Sequence, residues 1–426
     1  MVAVNRHAAA TLLTAVLLVI AGCSAPTANP TPNTGPGTAS PTDPSSPTAT
    51  PTEPPTATAT STDAPTPTAT PTPAGGVTVY GDLSVNATLV WEHVVASLDG
   101  EYETPIVSVR DTSLPAQAGS FATQLGLDEG LERFDEGRIR ASYSRQTGRV
   151  RISPRNGSTA QVTRILAHEY VHAVQSQRYR SNRSSLVGQA TERESFGIRR
   201  ALVEGSAVYV EDAYTRQFLG FSAIERRCAE YRNGTAYERY AGQAYCFGGQ
   251  YFSSQLDSPS ELLSSNVTLP NTTEQLLHPG TSDPPANLTV VDETPADWST
   301  PASYPRRGEL FVRTVLGTEL PEDRAIEAAA GWGNDRVVRV SRDTEGYVWV
   351  LRWDTADDAA EFENAFAEYL DAPGNRTADG WRVDDDRYRL TTVDDRTIAV
   401  VTGNETFVDS VSVTGEGGNV TVAGES

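Results

Sequence analysis

The chain is expected to fold as an α+β protein, mainly helical with a small antiparallel sheet in its first part and a smaller ββαββ-like unit at its end. Three observations predict this. Helical periodicity runs through residues 158–177 and 192–217 with few breakers, whereas strand-like alternation is confined to a hairpin before them and to the segments after residue 330. Helix and strand are therefore segregated along the chain. About 350 residues follow a low-complexity segment, enough for two units of 77–290 and 300–415.

The N-terminus reads as an export signal. After Arg6, residues 8–22 are apolar and end in Val19-Ile20-Ala21-Gly22-Cys23, small residues before a cysteine. This is a lipobox, so residues 1–22 are expected to be a cleaved lipoprotein signal peptide and Cys23 the lipidated residue. The stretch is too short, and too abruptly polar afterwards, for a good spanning helix. The expected location is the outer face of the cell membrane, held by the lipid.

Residues 23–76 are almost only Pro, Thr, Ala and Ser and hold 14 of the 27 prolines. Such a segment cannot bury apolar surface and is expected to be a disordered stalk, spanning up to ~150 Å if extended. Ten Asn-x-Ser/Thr sequons accord with export: Asn86, Asn156, Asn182, Asn233, Asn266, Asn271, Asn287, Asn375, Asn404 and Asn419.

Within 77–290, Ile139–Ser144 and Val150–Ser153 read as a hairpin around residues 146–148. Asn156-Gly157 breaks the chain, and Ser158 with Gln161 forms a capping-box pattern. Val162, Ile165, Leu166, Tyr170, Ala173 and Val174 then follow at helical spacing, an apolar stripe that should face the core. On this helix lies His168-Glu169-Tyr170-Val171-His172, with two of the chain's five histidines. Positions i and i+4 share a helix face, so His168 and His172 can hold one Zn²⁺. Glu169, about 100° round the helix, is placed to take a proton from an activated water rather than to bind the metal.

A third ligand is expected from the second long helix. Leu202-Val203-Glu204-Gly205-Ser206-Ala207 sets a carboxylate among small residues, as a close approach of helices requires. Glu192, Glu194 and Glu211 are the alternatives to Glu204. Cys228 and Cys246 are an even pair in an oxidising compartment and read as a disulfide. His278 or Tyr209 could stabilise an oxyanion, although a structural role weighs more for His278.

Residues 284–305, rich in Pro, Ser and Thr, read as a linker. Helices are expected at 308–316 and 322–330, leading into a Gly-Trp-Gly-Asn-Asp turn where Trp332 and Asp335 serve packing. Strands at 337–340 and 347–353, a helix at 357–370 and a hairpin of 387–393 with 397–402 complete the unit.

The net charge is −21 and every one of the 34 basic residues is arginine. Self-repulsion on this scale is relieved only at high salt, so the composition reads as halophilic. It argues against nucleic acid as a partner.

His168–Gln177 (HEYVHAVQSQ) followed by Ala201–Ala207 (ALVEGSA) resembles the gluzincin-type zinc metallopeptidases. With Thr273–Pro279 (TEQLLHP) and Gly331–Arg336 (GWGNDR), it resembles more narrowly a group of prokaryotic surface proteins and lipoproteins, haloarchaeal ones included. The resemblance covers roughly residues 85–410. It implies one zinc held by His168, His172 and Glu204, with Glu169 as general base and a zincin-like fold. Thermolysin-like members carry an aspartate four residues after the ligand glutamate, where this chain has Val208. Glu211 or Asp212 is left to orient a histidine. The expected function is peptide hydrolysis at the cell surface. The competing expectation is a binding or adhesion lipoprotein whose zinc site is structural or vestigial.

Overall fold

The computed structural model describes residues 23–25, 76–110, 117–134, 138–191, 193, 195–263, 267–295, 297–298, 305–341 and 345–425. The signal peptide, most of the stalk, Asn266 and the alternative ligands Glu192 and Glu194 lie outside the described residues. Among the described residues no helix is long and apolar enough to cross a membrane.

The class is α+β. In the first part, β1 (Cys23–Ala25), β2 (Val79–Tyr80), β3 (Ile106–Val109), β4 (Ile139–Ser144) and β5 (Arg149–Ser153) form one sheet in the order β1-β4-β5-β3-β2. The β4–β5 hairpin is as expected, but the sheet is mixed rather than antiparallel. β3 runs parallel to both β5 and β2, because crossovers through helical segments bring these strands in from one direction. The first three residues of the expected stalk pair with β4, the hairpin's open edge.

The helices of this part are α1 (Ala87–Leu98), α2 (Ser120–Gln124), α3 (Leu131–Phe134), α4 (Thr159–Ser181), α5 (Leu186–Thr191), α6 (Phe196–Phe218), α7 (Ala223–Asn233), α8 (Ala236–Gln255) and α9 (Thr273–Leu277), of which α2 packs into the core of the second part. The capping box forms as expected. Gln161 N donates to Ser158 Oγ and Ser158 N donates to Gln161 Oε1. Val162, Ile165, Leu166, Tyr170, Ala173 and Val174 are all buried in one core with α1, α6, α8 and the sheet.

The second part carries α10 (Glu309–Leu316), α11 (Glu322–Glu327) and a six-stranded antiparallel sheet. Its strands are β7 (Trp332–Ser341), β8 (Glu345–Trp353), β9 (Asn375–Arg376), β10 (Trp381–Val383), β11 (Asp386–Asp394) and β12 (Thr397–Gly403), ordered β7-β8-β12-β11-β10-β9. Helix α12 (Ala356–Asp371) covers one face, and the ββαββ expectation is met with β9 and β10 added. Alternation assigns the faces: Trp349 and Leu351 face α10 and α12, while Val348 and Val350 face the opposite side. On that opposite side lie α13 (Glu405–Ser410) and a three-stranded sheet of β6 (Thr289–Glu293), β13 (Val411–Glu416) and β14 (Asn419–Gly424).

Two expectations need correction here. The stretch read as a linker contains β6, which pairs in parallel with β14 more than a hundred residues later. A Pro/Ser/Thr-rich flank hid a short strand whose partner is remote. The expected Gly-Trp-Gly-Asn-Asp turn is instead the start of β7, entered through Gly331 at φ 72° and carrying an irregularity between Trp332 and Asn334. Trp332 is fully buried, and Asp335 accepts from Arg307 N, Gly308 N and the Trp349 indole, tying the start of α10 to the sheet.

Candidate metal centre

Two long helices supply the site. On α4, His168 and His172 stand one turn apart on one face, as the i, i+4 spacing dictates. On α6, Glu204 meets them. His168 Nε2 and His172 Nε2 are 3.1 Å apart, and each lies 3.3 Å from Glu204 Oε2. Ligands held tetrahedrally at about 2.0–2.1 Å from zinc stand about 3.3–3.4 Å from one another, so these three atoms have the spacing of one face of such a tetrahedron. The two-imidazole, one-carboxylate donor set fits zinc.

Why both imidazoles turn Nε2 to the same point follows from what holds Nδ1. His168 Nδ1 is 2.8 Å from Glu211 Oε2. Glu211 is fully buried, which by itself would raise its pKa, but the Arg227 and Arg164 guanidiniums outweigh this and hold the carboxyl at about 2. It is therefore an ionised acceptor, Nδ1 must carry the proton, and Nε2 keeps its lone pair. His172 Nδ1 is 2.7 Å from Gln175 Oε1. The orientation of that amide is set because Gln175 Nε2 donates to Val203 O at 3.0 Å and Ser206 Oγ at 2.9 Å. Each ligand is thus aimed by one residue one helix turn or one helix away.

Electrostatics without a metal show what the cluster wants. Burial disfavours the charged His172 ring, yet Glu204 by charge and hydrogen bond, with Glu169 and Gln175, raises its pKa to about 9. Burial likewise opposes ionisation of Glu204, but His172 and His168 hold its carboxyl well below the usual carboxylate range. A buried carboxylate beside a proton-holding imidazole is a preformed place for positive charge.

Of the alternatives for orienting a histidine, Glu211 does it. Asp212 instead accepts from Ser222 Oγ, Ile224 N and Arg216 Nε, securing the start of α7. Glu169 is wholly buried on α4 beside His168. Tyr209 is not brought to the cluster; its hydroxyl donates to Leu256 O at 3.0 Å. Nor is His278, whose Nε2 is 3.0 Å from Glu309 Oε1 at the end of α9. Sequence reading missed Gln175, Arg164 and Tyr245. The Tyr245 ring lies 5.8 Å from that of His168, with the Arg227 guanidinium 5.0 Å from its centre. For Gln175 the signal was present, a glutamine three residues after the second histidine.

The small residues around Glu204 serve a contact other than the one expected. A Cβ on Gly205 would meet the Gly248 backbone at 2.3 Å, so Gly205 lets α8 rather than α4 come close. Cys228 and Cys246 form the expected disulfide, joining α7 to α8 behind the Glu204 helix. A cavity of about 370 Å³ shares Gln175 and Ser206 with the ligand network and is floored by Val171, Leu186, Leu262 and Leu269.

The model of a domain of unknown function (DUF8575) matches residues 299–412. No curated protein and no solved structure matches the chain. The matched segment covers most of the second part and none of the residues of the metal cluster.

Proposed function

We propose that the protein is a zinc metallopeptidase of gluzincin type, carried on the outer face of the cell membrane by a lipid at Cys23. One observation carries the reading: both imidazoles are held at Nδ1, so that both Nε2 atoms face Glu204 at zinc-ligand spacing. Zinc held by His168, His172 and Glu204 would supply Lewis acidity, polarising a carbonyl oxygen and making water more acidic. Glu211 keeps His168 in the tautomer that binds, and Gln175 does the same for His172. Glu169, next to His168 and shielded from solvent, takes the proton of the attacking water and returns it to the leaving amine. The apolar floor of the neighbouring cavity offers a place for an apolar substrate side chain.

The test is metal content and peptide-library cleavage of the full chain, purified in high salt, beside Glu204→Gln and Glu169→Gln. Wild type should carry about one zinc, Glu204→Gln should lose it, and Glu169→Gln should keep it while losing cleavage. A wild type that folds without zinc sinks the proposal. The complete burial of Glu169 and His168 favours one competing reading, a binding lipoprotein with a structural zinc. Under that reading wild type holds zinc, cleaves nothing, and Glu169→Gln changes neither.

A further inference from the structure

A second group of donors lies away from the histidines. The segment Thr273–Pro279 supplies Glu274, the loop after it supplies Asp283, and the corner between β8 and α12 supplies Asp354. One carboxylate oxygen from each lies within 4.8 Å of the others. Oxygens so spaced can sit on one coordination sphere of about 2.4 Å radius, the Ca²⁺–O distance. The donors are all hard oxygens, a set that selects against the softer nitrogen and sulfur preferences of zinc.

Acidic residues gather on many surfaces of so negative a chain, but Glu274 is not a surface residue. It is 5% exposed, and among the described residues its carboxylate has no hydrogen-bond or ion-pair partner. Burial and the charges of Glu309, Asp283 and Asp354 all push it up, to about 9, with no basic group offsetting them. Glu309, 2% exposed, gives one oxygen to His278 and leaves Oε2 without a partner. The surroundings are shaped to keep the acids together. Gln275 Nε2 donates to Asp283 O at 2.7 Å, Asp354 N donates to Gly331 O at 2.9 Å, and a Cβ on Gly333 would come within 2.9 Å of Asp354 Oδ1. The backbone is fixed so that Asp283, Asp354 and Glu309 all oppose ionisation of the buried Glu274, and a cation is the group that would favour it.

We propose that Glu274, Asp283 and Asp354 form a second cation site that takes a calcium-sized divalent ion and ties the α9 segment to the β8–α12 corner. Its role is a clamp: it joins the helical part to the sheet unit between Leu276 of the first core and Trp353 of the second. This proposal is independent of the zinc reading.

The full chain, stripped with chelator and held at constant molar KCl, is titrated with Ca²⁺ while heat and thermal unfolding are recorded. Constant KCl keeps general screening fixed. Wild type should bind one Ca²⁺, and its Tm should rise by about 2–5 °C at saturating ion. Glu274→Gln and Asp354→Asn should each lose both responses, whereas Glu204→Gln should keep them. No Ca²⁺ response in wild type, or a response that persists in either carboxamide variant, overturns the site. If Glu274→Gln fails to fold, Asp354→Asn decides alone, because the Asp354 side chain caps no helix and holds no hydrogen bond in the fold.

Discussion

Around α4 and α6 the interior contains Arg164, His168, Glu169, Glu204, Glu211 and Arg227, whereas around β8 and α12 it contains Trp349, Leu351, Trp353, Phe362 and Phe366. Both interiors are closed to solvent. In the sheet itself the deeply buried carboxylate of Asp335 is satisfied by three N–H donors. Around His168 the buried charges of Glu204, Glu211, Arg164 and Arg227 are instead set against one another and against the two imidazoles. Burying ions costs several kcal/mol apiece before their pairing repays it. A core that needed only stability would look like the one around Trp349. The helical interior carries charge that a purely apolar core would not.

The contrast can be broken or sharpened by substitution. Trp349→Ala should have the largest effect on stability, toward 5 kcal/mol, because it opens a cavity and removes a donor from Asp335. Denaturant unfolding measures this, and the zinc content of the folded fraction should not change. Glu211→Gln should cost about 3–4 kcal/mol by leaving Arg164 and Arg227 without their counter-charge, and should also weaken zinc binding about 10–100-fold. If Glu211→Gln lowers stability but leaves zinc affinity intact, the helical interior is a structural ion network and the contrast loses its functional meaning. Gly205→Ala should cost about 1–3 kcal/mol, since the new methyl meets the Gly248 backbone.

The smallest effect is on pH dependence. In chelator-treated protein His172 has a pKa raised from 6.5 to about 9, so its stabilisation is complete below 6.5 and fades as pH rises through 9. The Glu204 carboxyl is depressed from 4.5, so its contribution is complete above that value and is lost on acidification. Thermal stability of the stripped protein should therefore decline by a few degrees between pH 6.5 and 9, and zinc should remove the share due to His172 while leaving the share due to Glu274, whose pKa is raised from 4.5 to about 9.

What was legible in the sequence was local. The Ser158–Gln161 cap, the apolar stripe of α4 and the i, i+4 histidines all depend on residues within a few turns of each other. Glu204 was legible because Gly205 inside a helix needs a reason, although the reason lies in α8 rather than in α4. Arg164, Tyr245 and the choice of Glu211 over Asp212 were not legible, because each depends on how α4, α6, α7 and α8 pack. β6 escaped for a similar reason: its five residues become a strand only against β14. Phe121 and Leu127, far upstream, were equally unreadable as members of the second core, beside Phe311 and Trp349.

The position of β14 decides how this molecule can be dissected. β14 is the middle strand of its sheet, between β13 and β6, so the chain's last strand and a segment near residue 290 close the same layer. A recombinant fragment cut to the matched span 299–412 would discard β6 and β14 and keep only the first two residues of β13. It would leave Val338, Val348 and Val401 open to water where Val420 and Val422 now cover them. The smallest independent folding unit of the second part is thus set by strand pairing, and its ends lie outside the borders that sequence matching draws.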